Sequence, residues 1–581
     1  MQSPTSATTQ RNESLPAITI NNNNNNNNKE ESTLDDILIR LGEFGRFQIV
    51  ILVLTCLPVL FNAVSSVTYI FTAGNVAHRC NITECDGQLS AYDEPWVKYA
   101  IPMKSRDLDQ CKRYAPRAIT NWTTTREDEQ YCTADLFDDE KTEDCAENNF
   151  IFRDAEVTIS NDFGIYCNDE WKLTLTGTIN NVGQFVGIPL GGLISDRYGR
   201  RNALALGGVL SAIFGIMRSF TTTYVPFLAF EFLDNVANSS LYSICFIIGI
   251  ELVGPSKRVF ACSIITIFYA IGEMLLAVVS MYFPNWRIML RIFYIPALAM
   301  ISYYWVLPES VRWLLSQERE TEATDILKRV AQRNKRRLSD PTLDKLILAN
   351  REKLSSQIGG RFPLREAFGK LFFRIANCSL SWVVTVLVYY GLSLNSVLLG
   401  GNKYYNFILI ALVEIPGFFI PCLTMDRFGR RFSLCGYMLL SGVCCLCTVF
   451  VDSENYYLQL SLFLVGKLAI TAAFQVLYFF TSEIFPTNLR NSLMSFCSMV
   501  GRFGSMVAPQ TPLLAKYYEN APAILFAVCA LVSGCLSLLF PETSNTILPT
   551  TVHEADKIGN KKSSSNPNSS TFNLENEITY M

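Results

Sequence analysis

Asp196-Arg-Tyr-Gly-Arg-Arg201 returns 230 positions later as Asp426-Arg-Phe-Gly-Arg-Arg431. Two further pairs keep nearly that offset: Glu251 with Arg258 recurs as Glu483 with Arg490, and Pro308-Glu309-Ser310 recurs as Pro541-Glu542-Thr543. Several matches at one period mark a duplicated unit. Each sits just after an apolar stretch long enough to cross a bilayer, so the duplicated unit is a bundle of membrane helices.

Working outward, the 581 residues are 49% hydrophobic but only 17% charged, with mean hydropathy +0.21. A soluble chain carries nearer a quarter charged residues. Spans of roughly 20 apolar residues, enough to cross about 30 Å, fall near 47–71, 175–195, 203–220, 224–250, 259–282 and 288–307. A second set falls near 375–395, 403–425, 431–451, 457–482, 490–515 and 521–541. The expected fold is an all-α membrane protein of twelve transmembrane helices in two pseudo-symmetric six-helix bundles. Residues 1–46 then form a disordered cytoplasmic tail with a short pre-membrane helix, and 47–307 the first bundle. Residues 308–374 form a cytoplasmic linker with amphipathic helices at 317–333 and 340–354, 375–541 the second bundle, and 542–581 a second disordered tail. No cleavable signal peptide precedes the first span, which is expected to act as the signal-anchor.

Charge orients the chain. Residues 72–170 hold 21 acidic and 10 basic residues, whereas 308–374 hold 15 basic and 9 acidic. Basic loops stay on the cytoplasmic side, so 72–170 lies outside and both termini inside. Six of the 18 cysteines, Cys80, Cys85, Cys111, Cys132, Cys145 and Cys167, fall in that outer loop. An even count there predicts three disulfides of open connectivity. The sequons at Asn81 and Asn121 in the same loop are expected N-glycosylation sites.

The repeated loops place an acid and several bases at the cytoplasmic end of a helix pair. Asp196 and Asp426 are positioned to cap the next helix or to pair with Arg200 and Arg430, for which Glu251 and Glu483 are further partners. With Glu309 and Arg312 these form the expected gating set, since ion pairs across a bundle boundary hold one state closed until they break. The bland alternative is that the bases only set topology. Gly183, Gly187 and Gly191, four apart, offer a smooth face for close packing or for sliding.

The two D-R-x-G-R-R loops resemble those of the major facilitator superfamily. The long six-cysteine loop, Trp286-Arg287, Pro308-Glu-Ser-Val-Arg-Trp-Leu-Leu315, Ala411-Leu-Val-Glu-Ile-Pro-Gly417 and Ser482-Glu-Ile-Phe-Pro-Thr487 narrow the resemblance. Together they resemble the organic cation/carnitine/organic anion transporters, solute carrier family 22, over about residues 34–550. The resemblance implies plasma-membrane uptake or exchange of small organic ions by alternating access, with the coupling ion open and no cofactor.

Charges buried in the spans then become candidate contacts, because each costs about 2.5–3.5 kcal/mol to insert at mid-membrane. They are Glu414, Lys467 and Arg502, with Glu231, Asp234 and Glu273. A basic residue at Arg502 resembles the anion and carnitine branches, and a guanidinium holds a carboxylate by two parallel hydrogen bonds. Lys467 either adds positive potential or pairs internally with Glu414. Trp382, Tyr389, Tyr390, Phe474 and Tyr478, with Gln475 and Asn395, are cavity candidates suited to an ammonium group by cation–π contact. An anion site beside an aromatic cation site suits carboxylate-bearing zwitterions such as carnitine, betaine or an amino-acid derivative. The chain departs from the family in the fourth span, where Glu231 and Asn235 replace the usual Arg and Gly. Glu231 is there as a proton-coupling acid, a counter-charge to Arg502 or an ammonium site.

Other classes find little support. The two histidines, His78 and His553, lie outside the spans, and no P-loop or Cys/His metal spacing is present, so neither an enzyme nor an ATP-driven pump is expected. Nothing reads as a nucleic-acid site. The alternatives carried forward are an organic cation carrier using the buried acids and a non-transporting receptor with the outer loop as its ectodomain.

Overall fold

A computed structural model describes residues 34–87, 90–104, 107–117, 132–145, 149–357, 364–452, 455–486, 489–543, 549 and 552–557. The expectations for tail 1–32, for Asn121 and for most of 542–581 lie outside the described residues. The first half contains α1 (Arg46–Thr72), α2 (Trp171–Tyr198), α3 (Arg200–Arg218), α4 (Tyr224–Leu252), α5 (Arg258–Tyr282) and α6 (Trp286–Val306). The second contains α7 (Phe372–Asn395), α8 (Lys403–Phe428), α9 (Arg430–Val449), α10 (Tyr456–Ile484), α11 (Arg490–Val507) and α12 (Ala521–Ser537). Eight of these are long and apolar enough to cross a membrane, and α12 is a shorter apolar helix. The other three, α2, α3 and α11, carry more polar side chains because they border the boundary between halves or hold buried charge.

Local chemistry sets the helix starts. Asn285 accepts the amide of Arg287 at 3.0 Å to open α6, and Asn402 accepts that of Tyr404 at 2.9 Å to open α8. The turns from α2 to α3 and from α8 to α9 pass through Gly199 (φ +100°) and Gly429 (φ +84°), a region nearly closed to other residues. Each half has its own apolar core. That of the first also takes in Phe407 of α8 at the outer end.

The glycine face of α2 packs within the first half. A Cβ at Gly183 would lie 2.8 Å from the Phe232 carbonyl oxygen, and one at Gly187 2.2 Å from that of Val236. These glycines therefore seat α2 on α4 and are not a sliding surface between halves. The residue at that boundary is Gly177, whose Cβ would meet Pro509 at 2.7 Å.

The outer loop departs from an all-α reading. It carries two-stranded antiparallel ribbons pairing His78–Cys80 with Phe150–Phe152 and Lys112–Pro116 with Phe137–Asp144. Disulfides Cys80–Cys145, Cys85–Cys132 and Cys111–Cys167 tie it together. Asp162 anchors it to α6, accepting from Trp286 Nε1 at 3.0 Å and pairing with Arg287 at 2.8 Å. Within the tail expected to be disordered, Val552–Lys557 is helical. Its buried Val552 and Ala555 and the carbonyls of Ala555 and Asp556, which accept from Arg374, hold it against the base of α7.

Candidate substrate site and gates

At the cytoplasmic ends the two halves repeat one arrangement. Glu309 accepts the backbone amides of Arg200 and Arg201 at 2.8 and 3.2 Å, and Glu542 those of Arg430 and Arg431 at 2.9 and 3.1 Å. Each glutamate thus caps a helix whose first residues follow the positive-φ glycine, where negative charge is favoured. Of the two roles open to Asp196 and Asp426, capping the next helix or pairing with Arg200 and Arg430, the structure shows the second. They pair with Arg200 at 2.8 Å and Arg430 at 3.6 Å. Ser310 bonds Glu251, and Thr543 bonds Glu483 at 2.6 Å. Arg430 also meets Glu483 at 3.2 Å, whereas Glu251 is held by Ser310 without a matching arginine bond. Arg312 and Arg258 both reach Asp35 of the pre-membrane helix at 2.5 Å. Among the described residues all these pairs stay inside one half, so none bridges the boundary in this state.

The bonds that do cross between halves lie from the outer end to mid-membrane. Thr174 donates to Gln510 at 3.0 Å, Gln510 donates to Thr178 at 2.7 Å, and Thr178 donates to the Met506 carbonyl at 3.1 Å. Phe71 stacks on Tyr404 with centroids 5.7 Å apart, and Lys403–Glu156 and Lys516–Glu170 are ion pairs at the outer rim. Arg502 to Gln184, at 3.2 Å, is the deepest of these. By the helix rise, Gln184 sits about 20 Å below the outer end of α2. The crossing bonds named here end at this level, and the cytoplasmic pairs named above each stay within one half, which is the pattern of a transporter open inward.

Two charge centres occupy the middle of the halves. In the second, Lys467 pairs with Glu414 at 2.8 Å, donates to Ser393 at 2.7 Å and the Tyr389 carbonyl at 3.1 Å, and lies 3.3 Å from the Tyr389 ring centroid. Tyr389 in turn donates to Glu414 at 2.8 Å. Lys467 thus donates two hydrogen bonds and forms an ion pair with Glu414, so the two charges neutralise one another. In the first half Arg218 pairs with Glu231, lies 3.7 Å from Asp234 and donates to Tyr294 at 3.1 Å. Asp234 also accepts from Ser211 at 2.5 Å, Ser65 at 3.4 Å and Tyr294. Glu231 is thus the partner of Arg218 and not a direct counter-charge to Arg502. Asn180 bonds Glu231 at 2.7 Å and Gln184 bonds Asn180 at 2.9 Å, which completes a polar chain from Arg218 to Arg502.

Arg218, Asn180 and Gln184 were invisible as site residues in the sequence. Arg218 ends its apolar span and reads as a boundary charge. The spacing of Asn180 and Gln184 by one turn was the available signal.

The aromatic candidates do come together. Tyr389 contacts Tyr390 at 5.2 Å and Phe474 at 5.6 Å, Phe474 contacts Tyr478 at 5.4 Å, and Trp382 contacts Tyr478 at 4.6 Å. Trp382 and Tyr389 are buried behind, with the Trp382 indole donating to Thr481 at 3.1 Å. Arg502, Tyr390, Phe474, Gln475 and Tyr478 remain partly accessible. Asn395 does not join them. It bonds Gly391 and Thr511 near the outer end and lines a cavity of about 860 Å³ beneath the loop.

In the loop, the Asn81 amide nitrogen donates to Asn149 at 2.8 Å, a bond that a glycan at that nitrogen would replace. His78 lies near Cys111 and Cys167, but those two sulfurs bond each other and leave no metal ligand set.

The family model described as "Sugar (and other) transporter" matches residues 129–550. The "Organic cation transporter protein" of Drosophila melanogaster is 30% identical over 91% of this chain and 95% of its own length. "Organic cation/carnitine transporter 2" of Rattus norvegicus is 30% identical over 90% and 93%. In structure, the inward open xylose transporter XylE of E. coli aligns with TM-score 0.53 at 17% identity, covering 67% of this chain and 89% of that one, a likeness of fold. The chain belongs to solute carrier family 22 within the major facilitator superfamily. It is a multi-pass membrane transporter, not an enzyme.

Proposed function

We propose that the protein carries small carboxylate-bearing zwitterions, of the carnitine, betaine or amino-acid-derivative type, by alternating access at the plasma membrane. One observation carries this reading: Arg502 is the mid-span base whose single hydrogen bond among the described residues is to a neutral amide, Gln184. Lys467 and Arg218 are neutralised by Glu414 and Glu231. Arg502 keeps N–H donors free for a carboxylate fork. Tyr478 lies within electrostatic range of it and leads through Phe474 and Tyr389 to Tyr390, a ring group suited to the ammonium end. The names of the relatives, organic cation and carnitine transporters, support the substrate class. The disulfide-tied loop and the basic linker support a cell-surface location with both termini inside. Asp196, Arg200, Glu251, Glu309 and Arg312, with Asp426, Arg430 and Glu483, then form the cytoplasmic gate.

The test is uptake in expressing cells of labelled carnitine, β-alanine, tetraethylammonium and an aromatic carboxylate, with surface protein measured. Entry of carnitine or β-alanine is the expected result. Entry of tetraethylammonium alone favours a cation carrier using the buried acids, and no entry of any solute favours a receptor.

A further inference from the structure

Glu273 of α5 is only 1% exposed, and neither of its carboxylate oxygens has a hydrogen-bond partner among the described residues. Every other mid-span acid is compensated. Glu414 has Lys467 and Tyr389, Glu231 has Arg218 and Asn180, and Asp234 has Ser211, Ser65 and Tyr294 beside Arg218. An uncompensated buried carboxylate costs several kcal/mol, so a side chain retained in this condition calls for a function.

Its surroundings define what it takes up. α5 packs on α8 across the boundary between halves, and Glu273 lies within electrostatic range of Glu414 and Lys467 there. Tyr69 of α1, Tyr269 of its own helix and Tyr389 of α7 face it as well, and Tyr242 of α4 contacts Tyr269 at 5.8 Å. Lys467 pairs with Glu414 and not with Glu273 among the described residues, so two carboxylates stand near one ammonium and the cluster is one positive charge short. Lys467 is held by Glu414, Ser393 and the Tyr389 carbonyl. A metal ion would need several oxygens, whereas the described residues bring no hydrogen-bonding group to either Glu273 oxygen. A proton needs only one oxygen.

We propose that Glu273 is the protonation site through which a proton gradient is coupled to transport, an inference that rests on the transporter reading above. Taking up the proton forms one O–H bond at a carboxylate oxygen and neutralises the cluster, so α5 and α8 can stay packed. Parting of α5 from α8 admits water, the O–H bond breaks to water, and the ionised Glu273 then repels Glu414 until it is protonated again. Proton release and the motion of the halves become one event.

Two measurements test this on the full-length protein. The first is infrared titration of wild type, Glu273→Gln and Glu273→Asp in lipid nanodiscs, which needs no substrate. Wild type should show a carboxylic-acid carbonyl band that titrates with pH, absent in Glu273→Gln and displaced in Glu273→Asp. An unchanged band in Glu273→Gln overturns the assignment. The second is labelled carnitine uptake into proteoliposomes with and without a pH gradient. The gradient should change wild-type uptake by at least about fivefold and leave the Glu273→Gln ratio near unity. Carnitine entry indifferent to the gradient in wild type contradicts the coupling. If no solute enters, the transporter reading fails, and the infrared band alone still decides whether Glu273 carries a proton.

Discussion

Arg502 of α11 donates to Gln184 of α2 at 3.2 Å, a bond that joins the two halves deeper than the Thr174, Thr178 and Gln510 set. At the same level Phe185 meets Phe503 at 5.7 Å, and outward from it the Thr178–Gln510–Thr174 set completes the seal. The same guanidinium thus closes the path to the outside and faces the inward opening. A carboxylate taken by Arg502 competes with Gln184, so substrate and outer closure are linked through one side chain.

Weakening that closure should open the outer path. Gln510→Ala with Lys403→Ala removes the bonds to Thr174 and Thr178 and the pair with Glu156. A loss of about 1–2 kcal/mol shifts the equilibrium roughly five- to thirtyfold. In an Asn181→Cys background, which leaves these bonds intact, labelling by a membrane-impermeant thiol reagent applied outside should accelerate by that factor. An unchanged rate would show that the outer side is held shut by something else.

The buried pair in the first half should behave as a unit. Arg218→Met strands both Glu231 and Asp234 and should cost about 3–5 kcal/mol, whereas Glu231→Met leaves Arg218 beside Asp234 at 3.7 Å and should cost less. The double replacement should recover most of that loss, because Asp234 keeps Ser211, Ser65 and Tyr294. Thermal unfolding of the purified variants measures the coupling, and simple additivity of the two single losses would contradict it.

Gly199 and Gly429 should be equally intolerant of a side chain. A Cβ would approach Glu309 Oε2 to 2.3 Å and Glu542 Oε2 to 2.7 Å, on a backbone already at positive φ. Gly199→Ala and Gly429→Ala should each lose about 1–3 kcal/mol and lower surface expression. Normal melting temperature for either would mean that its glutamate cap is dispensable.

Much of this was legible in the sequence because it is written locally. The duplicated loops, the spans, the acidic loop with its cysteines and the mid-span charges Glu414, Lys467 and Arg502 are all properties of short windows. What escaped depends on tertiary partners. Arg218 reads as the end of a span until α4 brings Glu231 to it, and the Gly183 stripe reads as a gliding face until α4 is found against it. Glu309 reads as a gate charge and Glu542 as its repeat, yet their caps require the return of the chain after α6 and α12 to the starts of α3 and α9. Val552–Lys557 lies in a polar tail and gains its helix only by docking on Arg374.

The central claim is that Arg502 receives the carboxylate of the solute, and comparison of Arg502→Ala and Arg502→Lys with wild type tests it most directly. The readout is initial uptake of labelled carnitine and β-alanine, normalised to surface protein. A charge-assisted hydrogen bond contributes about 1.5–3 kcal/mol, so Arg502→Ala should lower uptake at least about tenfold, with Arg502→Lys recovering only part. Full uptake by Arg502→Ala at normal surface levels would contradict the claim and make the Arg502–Gln184 bond a structural tie between the halves.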